Sequence, residues 1–282
     1  MKQKSGFSGQ IGFVFAAAGS AVGVGNLWRF PYLAAKDGGG LFLIIYLVLV
    51  VTFGFTLLTT DIAIGRKTGK SAIYAYESMC SKWKFLGILT FLVPVLIMTY
   101  YAVIGGWILK YITIYLFSSG KEAVADGCFT GFISSPSSVW FSLVFMLLTA
   151  LIVYNGVEKG IERVSKFIMP ILLVMVIVIA IFSLTLKTTL DDGTVRTGLQ
   201  GMMIYLKPDL TGVTVGRFLQ ITLDAMSQLF FSLSVSMGIM ITYGSYVKKD
   251  VDLNKAVSQI ELMDTGVAFL AGVMIIPAVF VF

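Results

Sequence analysis

Seven apolar stretches follow one another along the chain, separated by shorter polar segments. They lie at about residues 10–35, 40–64, 86–117, 139–155, 162–186, 217–246 and 255–282. A helix needs about 20 apolar residues to cross the hydrocarbon core of a bilayer. The pattern therefore predicts an all-α polytopic membrane protein with about seven spans. The polar segments 118–138 and 187–216 are rich in Gly, Ser, Thr and Asp and are predicted to be surface loops.

The composition agrees with this prediction. Of the 282 residues, 57% are hydrophobic and only 13% are charged, which is too apolar for the surface of a soluble domain. The chain has no histidine and two cysteines, Cys80 and Cys128, so zinc and haem sites are not expected. No HExxH or GxSxG motif is present, and we do not expect an enzyme.

The net charge of +6 reflects basic residues that are divided unequally between alternate loops. If the N-terminus is cytoplasmic, thirteen basic residues flank the inner side: Lys2, Lys4, Arg66, Lys67, Lys70, Lys82, Lys84, Lys159, Arg163, Lys166, Lys248, Lys249 and Lys255. Five lie outside: Lys36, Lys121, Lys187, Arg196 and Lys207. This asymmetry predicts a multi-pass protein of the plasma (cell inner) membrane with a cytoplasmic N-terminus, and it explains the charge without a nucleic-acid partner.

The first span contains residues that break helices. Gly19, Gly23 and Gly25 lie at mid-membrane depth, with Asn26 and Arg29 in the same helix. Unwound backbone inside a bilayer is tolerated only where a ligand, an ion or water satisfies the freed peptide groups. Small residues also allow close helix packing, and packing remains the alternative for each glycine taken singly. Polar and charged residues in a span are expensive, so Asn26 and Arg29 favour a binding site.

The sixth span is irregular at a similar depth, since residues 232–238 include three serines and a glycine. Two interrupted helices five spans apart indicate an internal repeat, with a first repeat at about 9–186 and the start of a second at about 217–282. This arrangement is typical of transporter binding sites. Freed carbonyls suit sodium and the amide end of a half-helix suits a carboxylate, so the pattern predicts an amino-acid substrate carried with Na⁺.

The segments around both breaks resemble the neurotransmitter:sodium symporter family. Residues 16–40, AAAGSAVGVGNLWRFPYLAAKDGGG, are similar to the family's first helix, and residues 228–250 to its sixth helix. Residues 160–170, GIERVSKFIMP, are similar to the beginning of its fifth helix. The resemblance covers nearly the whole chain and implies one transporter domain, residues 1–282, with the leucine-transporter fold of two inverted five-helix repeats. Because family members have more spans, we expect a truncated chain that lacks the C-terminal helices.

The resemblance implies ion ligands. For the first sodium these are the carbonyl of Ala21 and the side chains of Asn26, Ser232 and Asp264; for the second, the carbonyls of Gly19 and Val22. The family's chloride site corresponds to Tyr46, Gln228, Ser232 and Asp264. A carboxylate at Asp264 would offset the charge of the cation, so transport is expected to be independent of chloride. The alternative is that Asp264, in the first half of its helix, faces water.

The resemblance also implies a substrate site, formed by Ser20, Ala21, Val24, Gly25, Ile97, Tyr101, Phe231, Ser234 and Met237. Tyr101 would bind the substrate carboxylate and Phe231 would cover the pocket. Gly23 stands where monoamine carriers of the family have an aspartate, which favours an amino acid, and the apolar wall favours an apolar or aromatic side chain. Without the resemblance, Ile97 and Phe231 would be interpreted as packing residues and Tyr101 as an interfacial anchor.

Gate residues complete the expected site. They are Arg29, Tyr101 and Phe231 on the outside, and Lys4, Ser245 and Tyr246 on the inside. Lys4 stands where the family commonly has arginine, and lysine cannot form the same forked contact, so a weaker inner gate is expected. Phe7 stands where the family commonly has tryptophan.

The expected function is therefore symport of a neutral amino acid with sodium by alternating access. One competing hypothesis is an amino-acid receptor that binds without transporting, and another is an inactive fragment of the transporter. A channel is disfavoured because the irregular backbone lies at one central site rather than along a pore.

Overall fold

The computed structural model describes residues 6–118, 120–191 and 193–282, and these are almost entirely helical. The α-helices are α1 Gln10–Ala21, α2 Phe30–Lys36, α3 Gly40–Leu49, α4 Phe55–Thr68, α5 Ala72–Met79, α6 Lys84–Phe117, α7 Gly120–Ala123, α8 Cys128–Ile133, α9 Ser137–Tyr154, α10 Arg163–Thr185, α11 Gly198–Leu206, α12 Val215–Ser232, α13 Ile239–Gly244 and α14 Leu253–Val281. Wider π-helical turns join some of them, at Gly25–Arg29, Val50–Gly54 and Val157–Glu162. A short 3-10 turn, Ser81–Trp83, precedes α6.

Five helical stretches of the described chain are long and apolar enough to cross a membrane: Gly40–Thr68, Ser81–Phe117, Ser137–Tyr154, Val157–Thr185 and Leu253–Val281. The pair Gln10–Ala21 and Gly25–Lys36, bent by 52°, makes a sixth span. The stretch at 217–246, predicted as an interrupted sixth span, is divided between α12 and α13, with non-helical backbone at 233–238. The polar and charged residues of α12, among them Arg217 and Asp224, make it less apolar than the spanning helices.

The prediction of plain loops at 118–138 and 187–216 was wrong in part. The first contains the short helices α7 and α8. The second contains a hairpin in which β1, Lys187–Thr189, pairs antiparallel with β2, Val195–Thr197, followed by α11. Helix α11 begins with a capping box, in which Thr197 and Gln200 each bond the backbone N–H of the other. This T-x-x-Q pattern is a helix-start signal that the loop interpretation overlooked.

Helix α14 lies in the centre of the described structure and α9 at its edge. Residues along most of α14 are buried, and it packs against α1, α2, α4, α10 and α11. Helix α9 has no buried residue among those described and packs chiefly against α6. A side chain on the inner face of α14 is therefore far from solvent, which decides the environment of Asp264.

Close helix packing depends on glycine at the contact between α4 and α13. A Cβ atom on Gly65 would collide with the carbonyl of Ile241, and one on Gly244 would collide with the backbone of Ile62. Small residues that let two backbones approach are typical of helix contacts in membranes. This contact holds α13, which follows the non-helical stretch 233–238, against α4, which is part of the uninterrupted span Gly40–Thr68.

Candidate functional site

The first break, residues 22–23, interrupts the first predicted span near its centre. Helix α1 ends at Ala21, and Val22 adopts an extended conformation, with φ −75° and ψ 110°. The Asn26 side chain is fully buried, and its Oδ1 accepts a hydrogen bond of 3.1 Å from the Gly23 amide. Because α1 ends here, its last carbonyls have no N–H donors from a following helical turn and are available to a ligand.

The second break, residues 233–238, separates α12 from α13. Its backbone is unusual, because Ser234 and Ser236 have φ of 53° and 60° and Gly238 has φ 73°. The carboxylate of Asp61 on α4 accepts a 2.7 Å hydrogen bond from the Ser236 amide. Asp61 was not predicted as a site residue, although an acid inside an apolar span is itself a signal of function. In the structure its side chain is buried.

A buried polar cluster joins both breaks to α14. Asn26 Nδ2 donates to Asp264 Oδ1 at 2.8 Å and to the Asp264 carbonyl at 3.0 Å. Ser232 Oγ donates to the two carboxylate oxygens of Asp264 at 2.8 and 3.0 Å. Asp264 has 0% exposure, so the alternative in which it faces water is wrong. Two side chains, one from the π-helical turn after the first break and one from α12, thus donate hydrogen bonds to one buried carboxylate on α14.

The residues expected at the chloride position lie beside this cluster. Gln228 Nε2 donates to the Gly25 carbonyl at 3.0 Å, which ties α12 to the first break. The Tyr46 hydroxyl and Gln228 Oε1 are buried and have no hydrogen-bond partner among the described residues. Both of these unbonded atoms are oxygens, and they lie near the carboxylate of Asp264.

A second buried acid, Glu261, lies one turn before Asp264 on α14 and was not predicted. It is 8% exposed, and its Oε1 has no hydrogen-bond partner in the described part of the chain. Gly54, in the π-helical turn between α3 and α4, leaves room for this oxygen. As with Asp61, the signal was a charged residue in an apolar stretch, here ELMD in the seventh predicted span.

A cavity of about 310 Å³ lies between the two breaks and α6. The residues predicted to bind substrate that line it are Ser20, Ala21, Gly25, Ile97, Tyr101, Phe231, Ser234 and Met237. The predicted ion ligands Gly19, Ala21, Val22 and Ser232 line it as well. Val24 does not: it lines an outer cavity of about 430 Å³ with Arg29, because the chain has resumed helical rotation there.

Phe231 and Tyr101 separate the central cavity from the outer one, and both residues line both cavities. Their ring centroids are 6.2 Å apart. The guanidinium of Arg29 lies 5.5 Å from the centroid of Phe231 and donates a 2.8 Å hydrogen bond to Ser227 Oγ. The three residues predicted as the outer gate are thus brought together above the cavity.

The inner gate residues are arranged differently. The Phe7 amide donates to the Tyr246 carbonyl at 3.2 Å, and the Phe7 ring is buried 5.8 Å from Tyr243. Ser245 Oγ bonds within its own turn, to the Thr242 carbonyl at 2.7 Å. Lys4 lies outside the described residues.

Two ion pairs that were not predicted from the sequence join the C-terminal end of α2 to α12. Arg217 binds the buried Asp37 at 2.9 Å, and Lys36 binds Asp224 at 3.0 Å. Burial raises the pKa of the Asp37 carboxyl above its ordinary value, although Lys36 and Arg217 act in the opposite direction. The partners are 180 or more residues apart, so no local pattern could have paired them.

These features are those of a helical membrane protein with a central site at two broken helices. The sequence model described as the sodium:neurotransmitter symporter family matches residues 4–128 and 129–282. The chain belongs to this family, whose members are transporters and not enzymes. The resemblance seen in the sequence is therefore confirmed.

Similar proteins agree with the family assignment. The chain is 38% identical over 284 residues to the uncharacterized sodium-dependent transporter YhdH of Bacillus subtilis (strain 168), covering 98% of this chain and 60% of that protein. The crystal structure of MhsT in complex with L-phenylalanine matches at TM-score 0.86 and 38% identity, covering 99% of this chain and 62% of that chain. The Homo sapiens sodium- and chloride-dependent taurine transporter is 26% identical, with 96% and 49% covered. The chain thus spans about half to three fifths of these relatives.

Proposed function

We propose that the protein carries a neutral amino acid together with sodium across the plasma membrane by alternating access, with its N-terminus in the cytoplasm. The observation that supports this most strongly is the buried cluster of Asn26, Ser232 and Asp264 beside the central cavity. A buried carboxylate without a basic partner needs a cation to balance its charge. A cation and a small substrate would then occupy adjoining parts of one site.

Sodium would be held by oxygen atoms from both sides of the first break. The Asp264 carboxylate, the Ser232 hydroxyl and the Asn26 amide oxygen would serve the first ion, together with the Ala21 carbonyl. The carbonyls of Gly19 and Val22 would serve a second. This donor set suits a hard cation, since it consists of carboxylate, hydroxyl, amide and backbone oxygens. Unwound carbonyls that coordinate sodium are the general design of such transporters.

The cavity favours an amino acid with an apolar or aromatic side chain. Ile97, Met237 and the Phe231 ring supply an apolar wall. The Tyr101 hydroxyl and the amides of the first break would bind the carboxylate of the substrate. That MhsT was crystallised with L-phenylalanine supports this substrate class.

Chloride independence is part of the proposal. The cited human relative is described as chloride-dependent and is 26% identical to this chain. Here the fully buried Asp264 provides a fixed negative charge where a chloride ion would otherwise offset sodium. A second anion beside this carboxylate would be repelled.

Uptake of labelled phenylalanine into proteoliposomes tests the proposal. An inward sodium gradient is expected to drive accumulation, gramicidin to abolish it, and replacement of chloride by gluconate to leave it unchanged. Binding without accumulation would support a receptor instead, and absence of both would support an inactive fragment. A strong rise in uptake on adding chloride would contradict chloride independence. A screen of the twenty amino acids, with and without sodium, would define the substrate.

A further inference from the structure

A cluster at the opposite end of α1 from the gate of Arg29 connects the chain before α1 to the beginning of α10. The Ser8 amide donates to Glu162 Oε2 at 2.9 Å, and the Ser8 hydroxyl donates to Glu162 Oε1. Lys166 Nζ binds Glu162 Oε1 at 2.6 Å and Ser8 Oγ at 3.0 Å. Lys248 Nζ also reaches the Ser8 carbonyl at 3.4 Å. Ser8 is therefore held through its amide, its hydroxyl and its carbonyl.

Burial makes Ser8 important to Glu162. The Glu162 side chain is only 2% exposed, whereas that of Lys166 is 40% exposed. Gly12 on α1 leaves the space that the carboxylate occupies, since a Cβ there would collide with it. If Ser8 moved away, Glu162 would lose two of its donors, and a buried charge that loses hydrogen bonds must be hydrated or neutralised. Separation of this segment from α10 therefore requires water to reach Glu162.

The same segment closes the structure on a second side. Phe7, next to Ser8, is 1% exposed and packs against Phe13 and Tyr243. The backbone bond from Phe7 to Tyr246 ties it to the end of α13. The short stretch 7–8 thus binds the beginning of α10 on one side and the α13 region on the other, two of the regions that also pack against α1.

We propose that Ser8, Glu162 and Lys166 form a latch that keeps the inner end of α1 against α10 and must open before the central cavity connects to the cytoplasm. The inference rests on the proposed function for the direction of opening. The latch is distinct from the gate residues Lys4, Ser245 and Tyr246, because its partner is α10. Weakening it should shift the conformational equilibrium towards the inward-open state.

Accessibility of a single cysteine tests the latch without requiring transport. In the purified protein carrying C80S and C128S, Ser165→Cys places a thiol one turn beyond Glu162, where Ser165 lies against Gly19. With a maleimide reagent, E162Q is expected to increase the alkylation rate of this thiol about 5–10-fold, and S8A, which keeps the amide bond, about 2–3-fold. Q10A is the matched control, since it removes another side-chain bond of the same region, from Gln10 to Gln259, and should leave the rate unchanged.

Phenylalanine binding gives a second readout. If the variants reduce the fraction of molecules in the closed state, the apparent affinity for phenylalanine should fall by the same factor as that fraction. Equal alkylation rates in E162Q, S8A and the parent would overturn the latch. So would a lower melting temperature in E162Q with no change in alkylation, because the cluster would then only stabilise the fold. If the parent fails to transport, the proposed function fails, yet the alkylation rates still decide the latch.

Discussion

The two breaks meet at the same buried site, but their backbones are shaped in different ways. At the first break, Gly23 within it and Gly25 just after it have ordinary φ values, and the buried Asn26 side chain binds the freed Gly23 amide. In the second break, Ser234 and Ser236 adopt left-handed conformations that L-residues rarely adopt. There the freed amide of Ser236 is bound by a carboxylate from another helix, Asp61.

The difference shows that two similar helix breaks can be stabilised by different contacts, one local and one from a distant helix. The first break is largely self-contained, because its stabilising side chain lies only three residues from the amide it binds. The second depends on tertiary contact, because Asp61 is 175 residues away from Ser236. Gly25, just after the first break, provides space for the Phe231 ring, whereas Gly238 in the second break has a left-handed φ of 73° and also lies close to Ala72. Substitutions should therefore act through different properties at the two sites.

The largest effect is expected where the two breaks join. Asp264→Ala removes the carboxylate that accepts hydrogen bonds from Asn26 and Ser232, and a hydrogen bond to a charged group contributes about 1.5–3 kcal/mol. Sodium-dependent phenylalanine binding should weaken about a hundredfold or more, as measured by a scintillation-proximity assay. L262A, at a position of α14 that is 75% exposed, is the control and should bind normally. Normal sodium dependence in Asp264→Ala would remove this residue from the ion site.

The next effect distinguishes the second break from the first. Asp61→Ala deletes the acceptor of the Ser236 amide, a charge-assisted bond worth about 1.5–3 kcal/mol. We expect about tenfold weaker phenylalanine affinity, with a smaller loss in D61N, which keeps an acceptor oxygen. Titration of binding in detergent provides the measurement. Equal affinity in all three proteins would show that the second break keeps its shape without Asp61.

A smaller effect is expected for substitutions of two glycines at the first break, Gly23 within it and Gly25 just after it. A Cβ on Gly25 would lie 3.0 Å from the Phe231 ring, whereas one on Gly23 would meet nothing within 4 Å. Gly25→Ala should displace Phe231 and weaken phenylalanine binding about 3–10-fold, because overpacking costs about 1–3 kcal/mol. Gly23→Ala should bind like the parent. If Gly23→Ala is the more damaging substitution, Gly23 is needed for a reason other than space.

The smallest effect concerns stability. Ser236→Gly relieves the strain of a left-handed residue, about 1 kcal/mol, but adds backbone entropy to the unfolded chain. A net gain of about 0.5 kcal/mol should raise the melting temperature by about 1–2 °C. Ser236→Ala remains an L-residue at the same φ and should show no gain. A lower melting temperature in the glycine variant would mean that the serine side chain stabilises this turn.

The sequence predicted much of the fold from local pattern. The seven apolar stretches all fall on helices, and the helix-breaking residues marked both breaks. The loops at 118–138 and 187–216 were less predictable, because short helices such as α11 depend on capping signals within a polar segment. Eight of the nine substrate residues expected from the family resemblance line the central cavity, whereas Val24 lines the outer one because the helix resumes there.

Two properties of the site were beyond any local pattern. In the sequence, Asp61 and Glu261 are recognisable only as acids in apolar stretches. Neighbouring residues do not predict that Asp61 binds the Ser236 amide or that Glu261 lies against Gly54. The same is true of Asp37 with Arg217 and of Ser8 with Glu162, which are far apart in the chain. Hydrophobic pattern carries local information, while a hydrogen bond depends on how separate helices are placed.

The sequence by itself determined that this protein spans a membrane and where its first and sixth spans are interrupted, because apolar length and helix-breaking residues act locally. Only the tertiary structure decided that Asn26 and Asp264, 238 residues apart, share a hydrogen bond and that water does not reach the carboxylate. The physical reason is the central position of α14, which brings its inner face to both breaks. Its packing against α1, α2, α4, α10 and α11 turns an acid in an apolar helix into the centre of the candidate ion site.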